Sequence, residues 1–496
     1  MSGRPLAAVV LVLAASLPTA AQEPPETGGG TTEAQVVSLA ITFQPWDQDR
    51  PWAKKSPQVR RAESVVVPGP YLLTTAFVMA DATHIEVEKR GRPVRATVRP
   101  VLVDPEVDLA LLSVEEPGFF DDLKPVKLAP SVPIRAALRT ARWRNRQLEM
   151  QTSRVTRVEV QSSLFGAVEH PFVLVTTDLS GGGWGEPVFS DGTLVGLSAS
   201  QSDQSARIIA VDVIAAFLRE ARHPEGYRGM ASLDFDWQVN EDPALAAYLG
   251  LPGPMRGIVV TGVPWGTSAY GILEPRDILL SLDGKALDES GYYVHPRYGE
   301  LRFGYIASDG HVPGDLLPAV VWRDGKEVRL QIPLRRADSE LDMIPNRQLG
   351  PPPYLVAGGF VFRELDGPYL RSWGDEWRKR APTQLVVRSA LFSEDQAADR
   401  RRIVIISSVL PSAYNLGYHD VSDLEVVRVN GQVVDSVAKV AEALQHPEDG
   451  FDRIELRPNF VRNEIVLDAA GLEAATAEVL EAYRIPGAAR LEETSP

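Results

Sequence analysis

From Val36 onward the chain is written in short apolar runs, and that habit limits the folds open to it. Val36–Phe43, Ser64–Val67, Tyr71–Ala76, His84–Val87 and Leu109–Val114 are rich in β-branched or large apolar residues, with turn residues between them. Val173–Thr177, Pro187–Phe189 and Thr193–Ser198 continue the series, and Ser190-Asp191-Gly192 reads as a hairpin turn between the last two. Strands this short bury their apolar faces only by pairing into sandwiches or barrels. Ile208–Val211 reads as one more strand. Asp212 is then the expected N-cap of a helix whose Val213, Ile214, Phe217 and Leu218 share a face.

The composition closes several routes to function. Cys is 0, which excludes disulfides, thiol catalysis and thiolate metal sites. Lys+Arg 51 against Asp+Glu 66 gives a net charge of −15, which argues against nucleic acid as a partner. The 7 His are scattered without paired spacing, so neither a metal nor another cofactor is expected. Arg4, the apolar run Leu6–Leu17 and the small residues around Ala20-Ala21 read as a signal peptide over residues 1–21. That run is too short to span a bilayer, and no later stretch is long and apolar enough. Cleavage before Gln22 would leave an exported, periplasmic or extracellular chain; retention as an uncleaved anchor is the alternative. Residues 22–35 are polar and Gly/Pro/Thr-rich, a flexible linker.

Three folded units follow from the rest of the pattern. The first covers 36–222 and ends near His223–Gly226. A second β pattern, with a short helix at Pro243–Tyr248, covers 227–336. The stretch 337–352 is a polar linker running into three prolines, and 353–491 is the last unit. In the last unit, Leu355–Phe362, Ile403–Val409, Leu424–Val429 and Arg453–Leu456 read as strands, and Val437–Leu444 and Leu472–Tyr483 as helices. Asp277–Gly284 (DILLSLDG) and Asp423–Gly431 (DLEVVRVNG) are alike, each a strand leading into a tight turn, and suggest two related modules.

The first unit resembles the chymotrypsin-like domain of the HtrA/Deg protease family. Ala62–Val78, Asp104–Leu112 (DPEVDLALL), Thr177-Asp178, Gly183–Val188 (GWGEPV), Asp191–Gly196 (DGTLVG) and Ile209–Asp212 match its motifs in order and spacing. Gly257–Lys285 resembles a PDZ domain of the same family. Gly299–Gly304, Pro313–Asp315, Pro353–Phe362, Ser408–Tyr418, Val429–Val434 and Tyr483–Pro486 resemble its plant-type branch, which carries a second PDZ-like domain. The resemblance implies a mainly β chain: a chymotrypsin-like double β-barrel followed by two PDZ-like α+β domains.

Carried over residue by residue, the triad positions are Phe77, Asp108 and Trp184, so only the carboxylate matches. Phe accepts no proton and Trp has no nucleophilic oxygen, and the chemistry needs both. The resemblance therefore implies a catalytically degenerate pseudoprotease. Ser180 is the one nearby candidate for a displaced nucleophile, and it lacks a base; His84 begins a strand that faces elsewhere. Gly229, Met230, Ala231 and Ser232 lie where the family's carboxylate-binding loop leads into its peptide-pairing strand; a plain turn at Gly229 is the alternative. The implied partners are polypeptide or unfolded-protein segments, and copies of the chain in a trimer-based homo-oligomer. An active serine endopeptidase of protein quality control, or a purely structural scaffold, are the rival readings.

Overall fold

In a computed structural model of the chain, the apolar runs pair as antiparallel ladders. Residues 32–491 are described, apart from 91, 95, 340, 341, 348, 349, 392–401 and 459–461. The signal segment and most of the first linker lie outside them. Strands β1 (Val36–Phe43), β2 (Gln58–Val67), β3 (Tyr71–Thr74), β4 (Ala82–Lys89), β5 (Arg92–Val94), β6 (Val98–Asp104) and β7 (Leu109–Val114) form one sheet in the order β5-β4-β1-β2-β3-β7-β6. Alternation along β1 sends Val37, Leu39 and Ile41 into a core with Val66, Leu72 and Leu112, while Val36 joins the core on the opposite face.

Strands β8 (Ala137–Arg144), β9 (Gln147–Ser162), β10 (Glu169–Thr177), β11 (Pro187–Ser190), β12 (Thr193–Ser202) and β13 (Ser205–Ala210) close into a barrel. Asp191 and Gly192 take φ of 46° and 75° at the β11–β12 turn, the twist a two-residue hairpin requires. Helix α1 (Val211–Glu220) buries Val213, Ile214, Phe217 and Leu218. Its start differs from the expectation. Strand β13 runs straight into the helix, so Ala210 is the N-cap and Asp212 falls in the first turn. There Asp212 pairs with Arg297 at 2.8 Å and accepts the hydroxyl of Tyr298, docking onto the barrel the separate hairpin of Tyr292–His295 and Gly299–Arg302, which lies between strands of the next sheet in sequence.

That next sheet contains Asp236–Gln238, Ile258–Gly262, Ile278–Leu282, Lys285–Ala286, Leu316–Arg323 and Lys326–Pro333. The last sheet contains Tyr354–Ala357, Phe360–Glu364, Val404–Val409, Leu424–Val429, Gln432–Val433, Phe451–Leu456, Glu464–Asp468 and Ala489–Arg490. The two similar segments hold the same place in each. Ile278–Leu282 and Leu424–Val429 are interior strands, and each leads into a left-handed pair, Asp283-Gly284 or Asn430-Gly431. The run Leu355–Phe362 is not one strand. Gly358 and Gly359, at φ 57° and 90°, fold it into a hairpin. A Cβ on Gly359 would stand 2.3 Å from Asn415 Nδ2, so only glycine fits. Among the described residues no helix is long and apolar enough to cross a membrane.

The connection from β1 to β2 is docked on the last sheet. Trp52 meets Tyr354 edge-on at 5.8 Å, and Arg490 lies over Trp46 at 4.4 Å. Arg363, fully buried, donates to the Gln48 carbonyl at 2.6 Å and faces Asp366 at 3.4 Å. Replacing it leaves a buried carboxylate and a buried carbonyl short of a donor. Arg363→Met should therefore cost about 3 kcal/mol, read as a lower urea midpoint by tryptophan fluorescence.

Candidate functional site

The triad-equivalent positions come together between the sheet and the barrel. β3 ends at Thr74 and the chain tightens into a 3₁₀ turn at Phe77–Met79. The turn between β6 and β7 presents Asp108 beneath it, and the loop from Leu179 to Glu186 presents Trp184 opposite. Phe77 and Trp184 meet with ring centroids 5.5 Å apart, and Phe165 stacks on Phe77 at 5.8 Å. Arg60 donates to the Phe77 carbonyl at 3.2 Å. The rings thus fill the space between the two loops with contact surface.

Asp108 is 7% exposed and holds the turn through its backbone contacts. It accepts the Phe77 N–H at 2.6 Å. Its φ of 54° is one that Asp and Asn tolerate better than other side chains. Burial pushes its carboxyl up to about 7, against the lowering pull of the Phe77 and Ala76 N–H groups.

The loop at Trp184 satisfies its own backbone donors. Glu186, 1% exposed, accepts the N–H groups of Gly183 and Trp184, both at 2.9 Å. Gln201 Oε1 accepts the Gly182 N–H at 2.6 Å. Trp184 in turn accepts the Glu63 N–H at 3.0 Å. A Cβ on Gly185 would meet Thr74 Oγ1 at 2.6 Å and the Glu63 carbonyl at 2.7 Å, so the loop passes where only glycine can. The buried Glu63 carboxyl is held well above its usual range, by burial first and by the neighbouring Glu186 charge as well. Ser180 lies on the exposed side of the loop, its carbonyl held by Arg142 at 3.0 Å. His84 sits on β4, exposed, 3.4 Å from Glu86. No imidazole lines the cavity of about 770 Å³ beside Phe77 and Trp184.

The expected peptide-pairing segment has a neighbour in the same chain. Ala231 and Ser232 pair with Arg336 and Arg335, and the Met230 carbonyl accepts the Ala337 N–H at 2.9 Å. Met230, Ala231 and Ser232 are buried, and the Arg336 side chain lies against Gly229. The first free backbone therefore begins beyond them. A groove of about 560 Å³ runs along Leu233 to Trp237, with Pro264 to Ser268 opposite and Phe303 at its floor against Phe235 and Trp237.

Sequence reasoning assigned no role to Glu186, Gln201 or Arg378. The signal for Glu186 was present, as a carboxylate where the family motif has a small residue. Arg378 reaches the cavity from the last folded unit and has no local signature.

The Asp108 shift carries a pH dependence. A carboxyl near 7 when folded and near 4 when unfolded stabilises fully below pH 4, and that contribution is lost as pH rises toward 7. Asp108→Asn keeps an acceptor for Phe77 and cannot ionise. Relative to the parent it should gain a few kcal/mol at pH 8 over pH 4, measured by denaturant unfolding at both.

A family model described as a PDZ domain matches residues 344–490. The chain is 26% identical over 461 residues to protease Do-like 4, mitochondrial, of Arabidopsis thaliana, covering 91% of this chain and 83% of that one. It is 24% identical over 464 residues to protease Do-like 2, chloroplastic, of the same plant, covering 91% and 74%. Among solved structures, the HtrA-type protease AlgW with a tripeptide superposes with a TM-score of 0.47 at 22% identity, over 62% of this chain and 96% of that one. The relatives run through the first sheet, the barrel and both later sheets, and the PDZ match falls on the last of them, so the chain is similar over nine-tenths of its length to proteases of the HtrA/Deg type.

Proposed function

We propose that the chain is an exported HtrA/Deg pseudoprotease that holds polypeptide segments through its PDZ modules. In this reading residues 1–21 direct export, 36–222 form a trypsin-like domain without turnover, and 227–336 and 353–491 are the binding modules. The observation that carries it is the contact of Phe77 with Trp184 at 5.5 Å, in the place where a base and a nucleophile would have to meet. The relatives are named as proteases; this chain carries Phe77 and Trp184 at the positions its resemblance to the family assigns to base and nucleophile. A PDZ module takes a peptide as an added strand at a sheet edge, which the groove along Leu233 to Trp237 has room to do. The role is that of a scaffold, a chaperone-like holder or a regulatory subunit.

Purified mature protein should leave unfolded casein uncut and take up no serine-directed fluorophosphonate. Cleavage that Ser180→Ala abolishes would overturn the reading. Phe77→His with Trp184→Ser should remain inert to the same probe, because Glu186 still occupies the Gly183 amide. Adding Glu186→Gly should raise labelling above that double variant, since an oxyanion donor is typically worth about 100-fold or more.

Assembly into trimers is the second part of the proposal. Trp46 and Trp52 are engaged with the last sheet of their own chain, so a trimer must use other surface of the first unit. Light scattering of the mature chain should give a three-chain mass. A monomeric mass at micromolar concentration would sink this part.

A further inference from the structure

The last folded unit reaches the edge of the cleft between the first sheet and the barrel through the exposed Arg378. Arg378, in the helical turn Trp377–Arg380, lines the 770 Å³ cavity together with Phe77, Phe172 and Trp184. Arg371 lies over Phe165 at 5.0 Å, and Phe165 stacks on Phe77. An open cavity of this size, with Phe77, Phe172 and Trp184 beside a largely polar remainder, has room for a small ligand that carries both a ring and a polar group.

The charges lining it are unbalanced. Asp108 is the one carboxylate on the lining, and it is buried against the Phe77 amide. Arg207 stands 3.8 Å from Glu159. Arg378 rests its guanidinium over the Trp377 ring at 4.4 Å and has no ion-pair partner among the described residues. The backbone amides that could otherwise hold an anion are taken, Gly182 by Gln201 and both Gly183 and Trp184 by Glu186. An anion entering here finds Arg378, and an aromatic group beside it finds Phe77 and Trp184.

We propose that this cavity binds an aromatic carboxylate, the ring against Phe77 and Trp184 and the carboxylate on Arg378. The site adjoins the groove along Leu233 to Trp237 at Ser162, and it stands whether or not that groove binds peptide. The chemistry has two sources, a polypeptide ending in an aromatic residue or a free aryl acid.

Isothermal titration of the full mature chain with N-acetyl-phenylalanine and with N-acetyl-phenylalaninamide tests it. The acid should bind at least about five-fold tighter than the amide, because a charge-assisted bond is replaced by a neutral contact. Arg378→Gln should bring the acid to the level of the amide. Arg380→Gln, exposed on the same turn and outside the lining, should leave the preference intact. Equal affinities, a preference that survives Arg378→Gln, or no heat from the acid at millimolar concentration would each overturn the proposal. A peptide ending in phenylalanine then separates the sources: tighter binding than the single residue identifies a polypeptide end, and equal or weaker binding identifies a free acid, with the site upheld in both cases. Fluorophosphonate labelling of the same sample reports separately on the pseudoprotease reading, so either idea can fail without the other.

Discussion

The turn from Asp104 to Asp108 is the joint on which the assembly of this chain depends. Each of its three carboxylates is nearly buried, and each is spent on a different neighbour. Asp104 takes the hydroxyl of Tyr227, on the stretch that leads to the second folded unit. Glu106 accepts the Ala167 N–H with one oxygen and the Ser339 N–H with the other, both at 2.6 Å. It thereby binds the barrel's β9–β10 connection and the segment entering the last unit to the same point. Asp108 holds Phe77. A buried N–H left without its acceptor costs about 1 to 3 kcal/mol, so the loss of any one of these carboxylates would loosen a different junction.

The loop at Trp184 shows the same economy applied to a single site. Where a protease keeps backbone donors open for a developing oxyanion, this loop closes on a side chain of its own. Glu186 fills that place with its carboxyl. Its nearness to Glu63 raises the Glu63 carboxyl further, which keeps like charge from accumulating between the sheet and the barrel. Aromatic contact then replaces hydrogen-bond reach at Phe77 and Trp184. Cohesion of this kind makes the region a firm wall between the two loops.

The last unit is joined to the first at two places. Trp46, Gln48 and Trp52 are gripped by Arg490, Arg363 and Tyr354 on one side. Arg371 and Arg378 reach the aromatic cleft on another. Arginine suits both, since its flat guanidinium lies over rings while its N–H groups reach carbonyls and carboxylates. The middle unit is held in turn by Tyr298 and Arg297 on Asp212. Among the described residues each unit is bonded to at least one other.

Local chemistry was legible in the sequence because local chemistry alone determines it. Alternating apolar residues marked the strands, Asp-Gly and Asn-Gly marked the turns after Leu282 and Val429, and helical spacing named the buried face of α1. The absence of His and Ser at positions 77 and 184 was equally plain. The misreadings lie where a residue's role is set by what arrives from elsewhere in the chain. Asp212 has the side chain of an N-cap, yet the strand entering the helix displaces it and Arg297 claims it. Gly358-Gly359 sits inside an apolar run, and the hairpin there is fixed by Asn415 from a distant loop. In the same way, the pairing of Ala231 and Ser232 with Arg336 and Arg335 is set by a segment about a hundred residues on and leaves no mark in the local sequence. Arg378 carries no mark of its site at all, and Glu186 shows only as a carboxylate where the motif has a small residue. A periodic pattern records how each residue meets its own neighbours along the chain. Which donor finds which acceptor across the fold is decided only when the long-range contacts close.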